Sequence, residues 1–285
     1  MIQNVTLIII ALLAFAGNSV LCRLALGENA IDAASFTAIR LLSGAIFLLL
    51  LVYFKDNKRI NFKQSSWSSA ISLFLYAATF SFAYISLDTG TGALILFGFV
   101  QLTMIIYSFL QGKKLILVEW FGLIIAFSGL LILLLPGASA PSLTGFTLMA
   151  TSGIAWAVYT IKGKGSKTPL QDTATNFAKT LPVVVIMVLM TIQHADLSYR
   201  GVLLAIISGA ITSGLGYAIW YAVLKKITVI QASTSQLLVP IIASIFGVLF
   251  ANEVVTSKLL IASLLILGGI LVLTIGKNLY QNKHN

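Results

Sequence analysis

The stretch Ala33–Phe54, AASFTAIRLLSGAIFLLLLVYF, carries a single charged residue, Arg40. Its run Phe47-Leu48-Leu49-Leu50-Leu51-Val52 does not alternate polar with apolar residues, as a barrel strand would. A helix rises 1.5 Å per residue, so roughly 20 apolar residues cross the hydrocarbon of a bilayer. Lipid offers backbone groups no partner, and a helix satisfies them internally. The stretch therefore predicts a membrane-spanning helix.

Working outward, nine further stretches read the same way. The ten spans are approximately 4–22, 33–54, 68–87, 91–110, 116–135, 143–162, 173–193, 200–222, 229–250 and 257–276. The first lacks a basic leader and an A-x-A site, so it reads as a retained helix. Composition agrees: hydrophobic residues make up 59% of the 285 and charged residues 9%, against about 45–50% and about 25% in soluble domains. The mean hydropathy is +1.01. The expected fold class is an all-α integral membrane protein of ten transmembrane helices.

The net charge of +10 suggests nucleic acid until its distribution is read. If the spans alternate from a cytoplasmic N-terminus, the cytoplasmic connections hold Lys55, Lys58, Arg59, Lys63, Lys113, Lys114, Lys162, Lys164, Lys167, Lys225, Lys226, Lys277 and Lys283. The outer connections hold only Arg23, Arg200 and Lys258. This asymmetry is the positive-inside pattern, and it predicts both termini in the cytoplasm. Glu28, Asp32, Asp88, Asp196 and Glu253 fall on the outer side. The charge thus implies a bilayer partner and no nucleic acid. A plasma membrane follows, the inner membrane if the source is bacterial. The single cysteine, Cys22, allows no internal disulfide and reads as an apolar filler.

Shifting the sequence by 139 residues brings Arg23 onto Lys162, Arg40 onto Lys179, Gly129 onto Gly268 and Gly137 onto Gly276. With a short slip, Tyr84-Ile85-Ser86-Leu87 resembles Tyr221-Ala222-Val223-Leu224. The chain divides into two units, 1–137 and 138–285, of five spans each. An odd number of spans makes the second unit enter from the opposite side. Inverted-topology repeats of this kind are an architecture of secondary transporters.

Three stretches carry a family resemblance. One runs Ala232-Ser233-Thr234-Ser235-Gln236-Leu237-Leu238-Val239-Pro240 and then Gly247-Val248-Leu249-Phe250-Ala251-Asn252-Glu253. The second is Gly145–Tyr159 with Trp156-Ala157-Val158-Tyr159, and the third is Phe36-x-x-x-Arg40. Together they resemble the EamA-type family of the drug/metabolite transporter superfamily, built of tandem five-helix repeats. The first half departs from the pattern, with Lys114 standing where Glu253 stands and Gln101 where Pro240 stands. The resemblance implies a central cavity between spans 1–4 and 6–9, with spans 5 and 10 at the periphery.

Ionisable groups inside spans are costly and are functional candidates by default. Arg40 and Lys179 lie within spans and could offer positive charge to a carboxylate. Snorkelling toward headgroups or pairing with helix carbonyls is the alternative. Helical spacing aligns Ser72, Tyr76 and Phe80 on span 3, and Phe97 with Gln101 on span 4. It aligns Ser152, Trp156 and Tyr159 on span 6, and Tyr217 with Tyr221 on span 8. Span 9 carries Ser233, Gln236, Pro240 and 244–247 along one stripe. Asn18 stands in span 1 and Asn176 beside Lys179. A few polar groups among aromatic walls suit a zwitterion with an apolar side chain. Ordinary packing or an interfacial aromatic belt would also use these aromatics. Gly209-x-x-x-Ser213 reads as a close-packing pair. Pro182 and Pro240 read as flexure points or as packing kinks.

What is missing narrows the function further. No span has an acid near its middle, since Glu119 sits at a span mouth and Asp88 in a turn. Efflux of lipophilic cations is thereby disfavoured. There is no phosphate-binding glycine loop and no H-E-x-x-H, so neither ATP drive nor metal-dependent hydrolysis is expected. His194 and His284 lie in a connection and the tail. The expectation is a secondary transporter without cofactor, metal or enzymatic activity, a monomer or homodimer. It would move small metabolites, in the first place amino acids or related zwitterions. A carrier of organic cations or other drug-like solutes, or a membrane receptor or channel, is the alternative.

Overall fold

The computed structural model describes residues 2–56, 60, 62, 65–112, 116–136, 140–227 and 235–284. The described residues form α1 (Ile2–Leu26), α2 (Ala33–Asp56), α3 (Trp67–Tyr84), α4 (Thr89–Leu110) and α5 (Leu117–Leu134). The second half holds α6 (Leu143–Gly163), α7 (Pro169–Thr191), α8 (Tyr199–Leu224), α9 (Val239–Ala251) and α10 (Ser257–His284). Among the described residues the only β-pairing is an isolated bridge between Ile31 and Leu197. The fold is all-helical.

By length and apolarity, six helices qualify to cross a membrane among the described residues: α1, α2, α4, α5, α7 and α8. α3 and α6 fall short on composition, being rich in serine, threonine and tyrosine. Their hydroxyls are largely satisfied within the helix. Ser72, Thr79 and Ser81 donate to the carbonyls of Ser68, Leu75 and Ala77, and Thr151 and Thr160 to those of Thr147 and Trp156. Such polar residues add little cost in lipid. α9 is shorter than the span expected at 229–250. It starts at Val239 with Pro240 in its first turn, where a missing N–H breaks no bond. Residues 228–234, Ser233 among them, lie outside the described residues, as do Lys58, Arg59, Lys63, Lys113 and Lys114.

Successive helices run in opposite directions, as the contacts between connections show. At one end, Arg23 reaches Asp88 and Glu253, and Arg200 pairs with Glu28. At that same end Asp196 N–H donates to Asp32, Ser198 donates to Ala30, and Lys258 donates to the Leu135 carbonyl. At the opposite end Lys225 donates to the Lys167 carbonyl at 3.0 Å.

The two halves pack as equivalents. α3 lies on α6 as α8 lies on α1, and α4 on α6 as α9 on α1. The pairs α2–α7, α4–α9 and α5–α10 map onto themselves when the halves are exchanged. α5 and α10 pack mainly on each other. At Gly269, a Cβ would meet the Gly122 carbonyl at 2.6 Å. Their outer faces expose Leu117, Phe121, Ile124 and Leu264, as lipid-facing helices do.

A tight crossing joins α2 to α8. A Cβ on Gly209 would stand 2.1 Å from the Arg40 carbonyl oxygen, whereas one on Gly268 would meet nothing within 4 Å. Just there α8 widens into π-helical turns over Ser208–Leu215. π-Turns are uncommon and concentrate at functional sites.

Two tests follow from this architecture. Gly209→Ala should lower the detergent-solubilised melting temperature through overpacking of about 1–3 kcal/mol, and Gly268→Ala should leave it within error. The second test concerns Asp32, which caps α2 by accepting from the N–H groups of Ala34 and Ser35 at 3.1 and 2.9 Å. Burial pushes its carboxyl up, but hydrogen bonds from Ser35, Asp196 and Ala34 outweigh burial and hold it below the usual range. A depressed acid contributes stability above its unfolded pKa and loses it as pH falls through the folded one. Asp32→Ala should therefore cost about 1 kcal/mol near neutral pH. The deficit should shrink below about pH 4, as followed by melting across a pH series.

Candidate functional site

Arg40 is 1% exposed on α2. Its guanidinium has no carboxylate within 4.0 Å among the described residues. Nε donates to Ser213 Oγ at 3.1 Å. Nη2 donates to the hydroxyls of Tyr76 and Tyr217, both at 3.2 Å. The guanidinium carbon stands 5.3 Å from the Tyr76 ring centre and 5.0 Å from that of Phe80. Nη1 is buried and has no partner among the described residues.

A second polar cluster supports this one. Asn18 of α1 is 2% exposed. Its Oδ1 accepts from Ser208 at 2.7 Å, Thr212 at 3.2 Å and Ser213 at 3.4 Å. Its Nδ2 donates to Tyr76 Oη at 3.4 Å. The three hydroxyls come from the π-turns of α8, which bring Ser208, Thr212 and Ser213 to one oxygen.

Between these groups lies a small cavity lined by Phe15, Asn18, Ser19, Tyr76, Phe80, Leu96, Phe97, Trp156 and Tyr217. Its volume is about 10 Å³, room for about one water. The site is closed in this conformation. The walls come from both halves, α1, α3 and α4 meeting α6 and α8. Trp156 packs against Tyr76 at 4.8 Å and Tyr217 at 4.7 Å between ring centres. Phe15 meets Trp156, Tyr217 and Trp220 edge-on at 6.0, 5.9 and 5.6 Å.

Aromatic contacts continue beyond the cavity in both directions. Toward the end held by Arg23, Phe80 follows Tyr76 at 5.4 Å and Tyr84 follows Phe80 at 4.8 Å. Toward the other end, Tyr159 follows Trp156 at 5.7 Å and Tyr221 follows Tyr159 at 6.0 Å. Asn176 donates to Tyr159 Oη at 3.4 Å.

The structure thus joins Asn18, Arg40, Tyr76, Phe80, Phe97, Trp156 and Tyr217 in one cluster, with Tyr159, Asn176 and Tyr221 adjoining it. Gln101 and Gln236 are buried at 3% exposure but stay off the cavity wall. Lys179 lies apart. It is half-buried, and its Nζ donates to the Ser65 carbonyl at 2.5 Å and stands 5.6 Å from the Trp67 ring centre. Sequence reading missed Phe15, Ser208 and Thr212, and took Ser213 only as half of a close-packing pair. The i, i+4 spacing of Ser208 and Thr212 was a visible signal. The addition of Ser213 to that face depends on the π-turns, which no helical spacing announces.

The end of the bundle nearest α1's C-terminus is tied shut. Glu253 accepts from the Thr89 backbone N–H at 2.8 and 2.9 Å and from its hydroxyl at 2.9 Å, at the start of α4. Arg23 stands 3.3 Å from both Glu253 and Asp88. Burial pushes the Glu253 carboxyl up against the opposing pull of Thr89 and Arg23. Gly247 lets this carboxylate in, since a Cβ there would fall 2.2 Å from Oε2.

Comparison with known proteins supplies the context. The EamA-like transporter family matches residues 3–135 and again residues 143–275. The chain is 46% identical over 268 residues to "Uncharacterized protein PA1977" of Pseudomonas aeruginosa, covering 94% of this chain and 93% of that one. It is 21% identical over 252 residues to "Uncharacterized transporter YoaV" of Bacillus subtilis, covering 84% and 86%. A solved structure titled "Crystal structure of protein" superposes with a TM-score of 0.65 at 18% identity, over 96% of this chain and 97% of that chain. That likeness is one of fold.

The support given by Asn18 is open to test. Asn18→Ala strands the buried hydroxyl donors of Ser208 and Ser213, Thr212 keeping the Ser208 carbonyl at 3.0 Å, and should lower the melting temperature by an amount equal to about 1–3 kcal/mol. Lys179→Ala, which frees only a backbone carbonyl near the surface, should cost less in the same assay.

Proposed function

We propose that this chain, which belongs to the EamA-like transporter family, carries amino acids or related zwitterions across a plasma membrane by alternating access. The observation that carries this reading is Arg40. It is a guanidinium buried without an acidic partner among the described residues, directly behind the wall of an aromatic cavity built from both halves of the chain, where it holds the wall residues Tyr76 and Tyr217. Arginine stays protonated inside proteins. A charge held so deep without a counter-charge is suited to an anionic group on the cargo.

In this reading all ten helices span the bilayer as two inverted five-helix repeats, 1–137 and 138–285, with both termini in the cytoplasm. Three features support it: the alternation of helix direction, the equivalence of contacts when the halves are exchanged, and the excess of basic residues at one end. The end closed by Arg23, Glu253 and Thr89 is then the outer one. Opening there would break the Glu253 contacts, while opening at the other end would part α6 and α8 around Tyr159 and Tyr221. Two similar halves facing opposite ways give two such states of comparable energy. As in the transporter family to which the chain belongs, the work in this reading is movement rather than covalent chemistry.

Flux into proteoliposomes holding the purified protein tests the proposal. Saturable uptake of labelled amino acids is expected, with no uptake of choline. Arg40→Ala should reduce that uptake at least tenfold, the equivalent of about 1.4 kcal/mol of binding. Choline uptake without amino acid uptake would instead assign the aromatic walls to an organic cation.

A further inference from the structure

Resting on that reading, we infer that the cargo is recognised by its carboxylate and that its ammonium group is dispensable. The reason lies in the balance of hydrogen-bond donors and acceptors around the cavity.

Donors are in excess. Tyr76 Oη is approached by Asn18 Nδ2, Arg40 Nη2 and the Tyr217 hydroxyl, the last at 3.0 Å. Three donors exceed the two lone pairs of a hydroxyl oxygen. Tyr217 Oη already accepts from Arg40. Asn18 Oδ1, the one side-chain carbonyl on the cavity wall, accepts from Ser208 and Ser213 and shares the Thr212 proton with the Ser208 carbonyl. Arg40 Nη1 is left over with no acceptor among the described residues. A carboxylate brings acceptor sites and one negative charge, and it fills this deficit directly.

An ammonium group finds nothing equivalent. It donates only, and no aspartate or glutamate lines the cavity. The side-chain carbonyl and phenol oxygens that line the cavity are already engaged, and the unpartnered Asn176 Oδ1 and Tyr221 Oη lie off its wall. The Ser19 hydroxyl on the wall can turn to serve either end of a cargo molecule. The ring faces of Trp156 and Tyr217 could attract an ammonium, but Arg40 beside them repels it. The remaining wall, Phe15, Phe80, Leu96 and Phe97, is apolar and suits a hydrocarbon side chain. The chemical class is therefore a monocarboxylate with an apolar tail, of which neutral amino acids are one subset.

Three probes with one carbon skeleton separate the groups: L-leucine, 4-methylpentanoate, which lacks the amine, and 3-methylbutylamine, which lacks the carboxylate. Each is titrated against the purified full-length protein, with intrinsic tryptophan fluorescence and thermal shift as readouts. The expected result is that leucine and 4-methylpentanoate bind within about tenfold of each other and 3-methylbutylamine at least 100-fold more weakly. Arg40→Lys, which keeps the charge, should retain the preference for acids, and Arg40→Gln should abolish it. The wild-type series stands even if either variant fails to fold. Binding of leucine alone would overturn the inference and leave an amino acid carrier standing. Binding of 3-methylbutylamine alone would overturn both. Binding of none of the three would remove the monocarboxylate class.

Discussion

A charge that must be buried without a counter-charge sets the terms for the rest of this structure. Moving a guanidinium out of water costs several kcal/mol even after relaxation. Hydrogen bonds to a charged group return about 1.5–3 kcal/mol each, and a cation over a ring about 0.5–2. Arg40 has three of the former and two of the latter, which brings the two sides to a similar size. Every one of those partners must be delivered by tertiary packing. Tyr76 and Phe80 come from α3, and Ser213 and Tyr217 from α8. The approach of α8 requires Gly209, because any Cβ there would strike the Arg40 carbonyl. The π-turns then rotate Ser208, Thr212 and Ser213 toward Asn18. Glycine, π-turns and hydroxyl cluster make one arrangement, and Arg40 is its centre.

The two halves are alike in packing and unlike in chemistry. Exchanging them preserves the helix contacts, yet Arg40 is sealed behind Tyr76 and Tyr217 of the cavity wall while Lys179 reaches a backbone carbonyl near Trp67. A flexible, strongly hydrated ammonium can move toward the polar end of its helix, whereas a planar guanidinium held by three directed bonds cannot. The end closures differ as well. Glu253 binds the start of α4 at one end, and in the first half its place is held by Lys114, which lies outside the described residues. Symmetric packing is compatible with two comparable openings. The asymmetry of side chains leaves one cation, Arg40, against the central cluster rather than two.

The bilayer made much of this fold readable before any coordinates. Length, hydropathy and the spacing of Arg23, Arg40, Lys162 and Lys179 led to helices in two similar halves, because lipid forces each span to satisfy its own backbone. The aromatic members of the site were legible for a related reason. Tyr76 and Phe80, Trp156 and Tyr159, and Tyr217 and Tyr221 sit at helical spacings that place each pair on one face. Legibility ended where the helix departed from its regular period or where one residue met another far along the chain. Ser213 faces Arg40 only through the π-turns, and Phe15 matters only because α1 brings it edge-on against Trp156, Tyr217 and Trp220. The helix Val239–Ala251 carries Pro240 in its first turn, where proline is tolerated, and hydropathy alone does not reveal that break.

Taken alone, then, the sequence determined the solvent, the helices, the duplication and the stock of aromatic and basic side chains, since each of these follows from local composition and period. Only the tertiary structure decided which of the two cations within helices stands against the central cluster, that its acceptors are too few for its donors, and that Glu253 ties one end of the bundle to the start of α4. Those are balances between groups up to 195 residues apart, and distance in space is what a linear period does not encode.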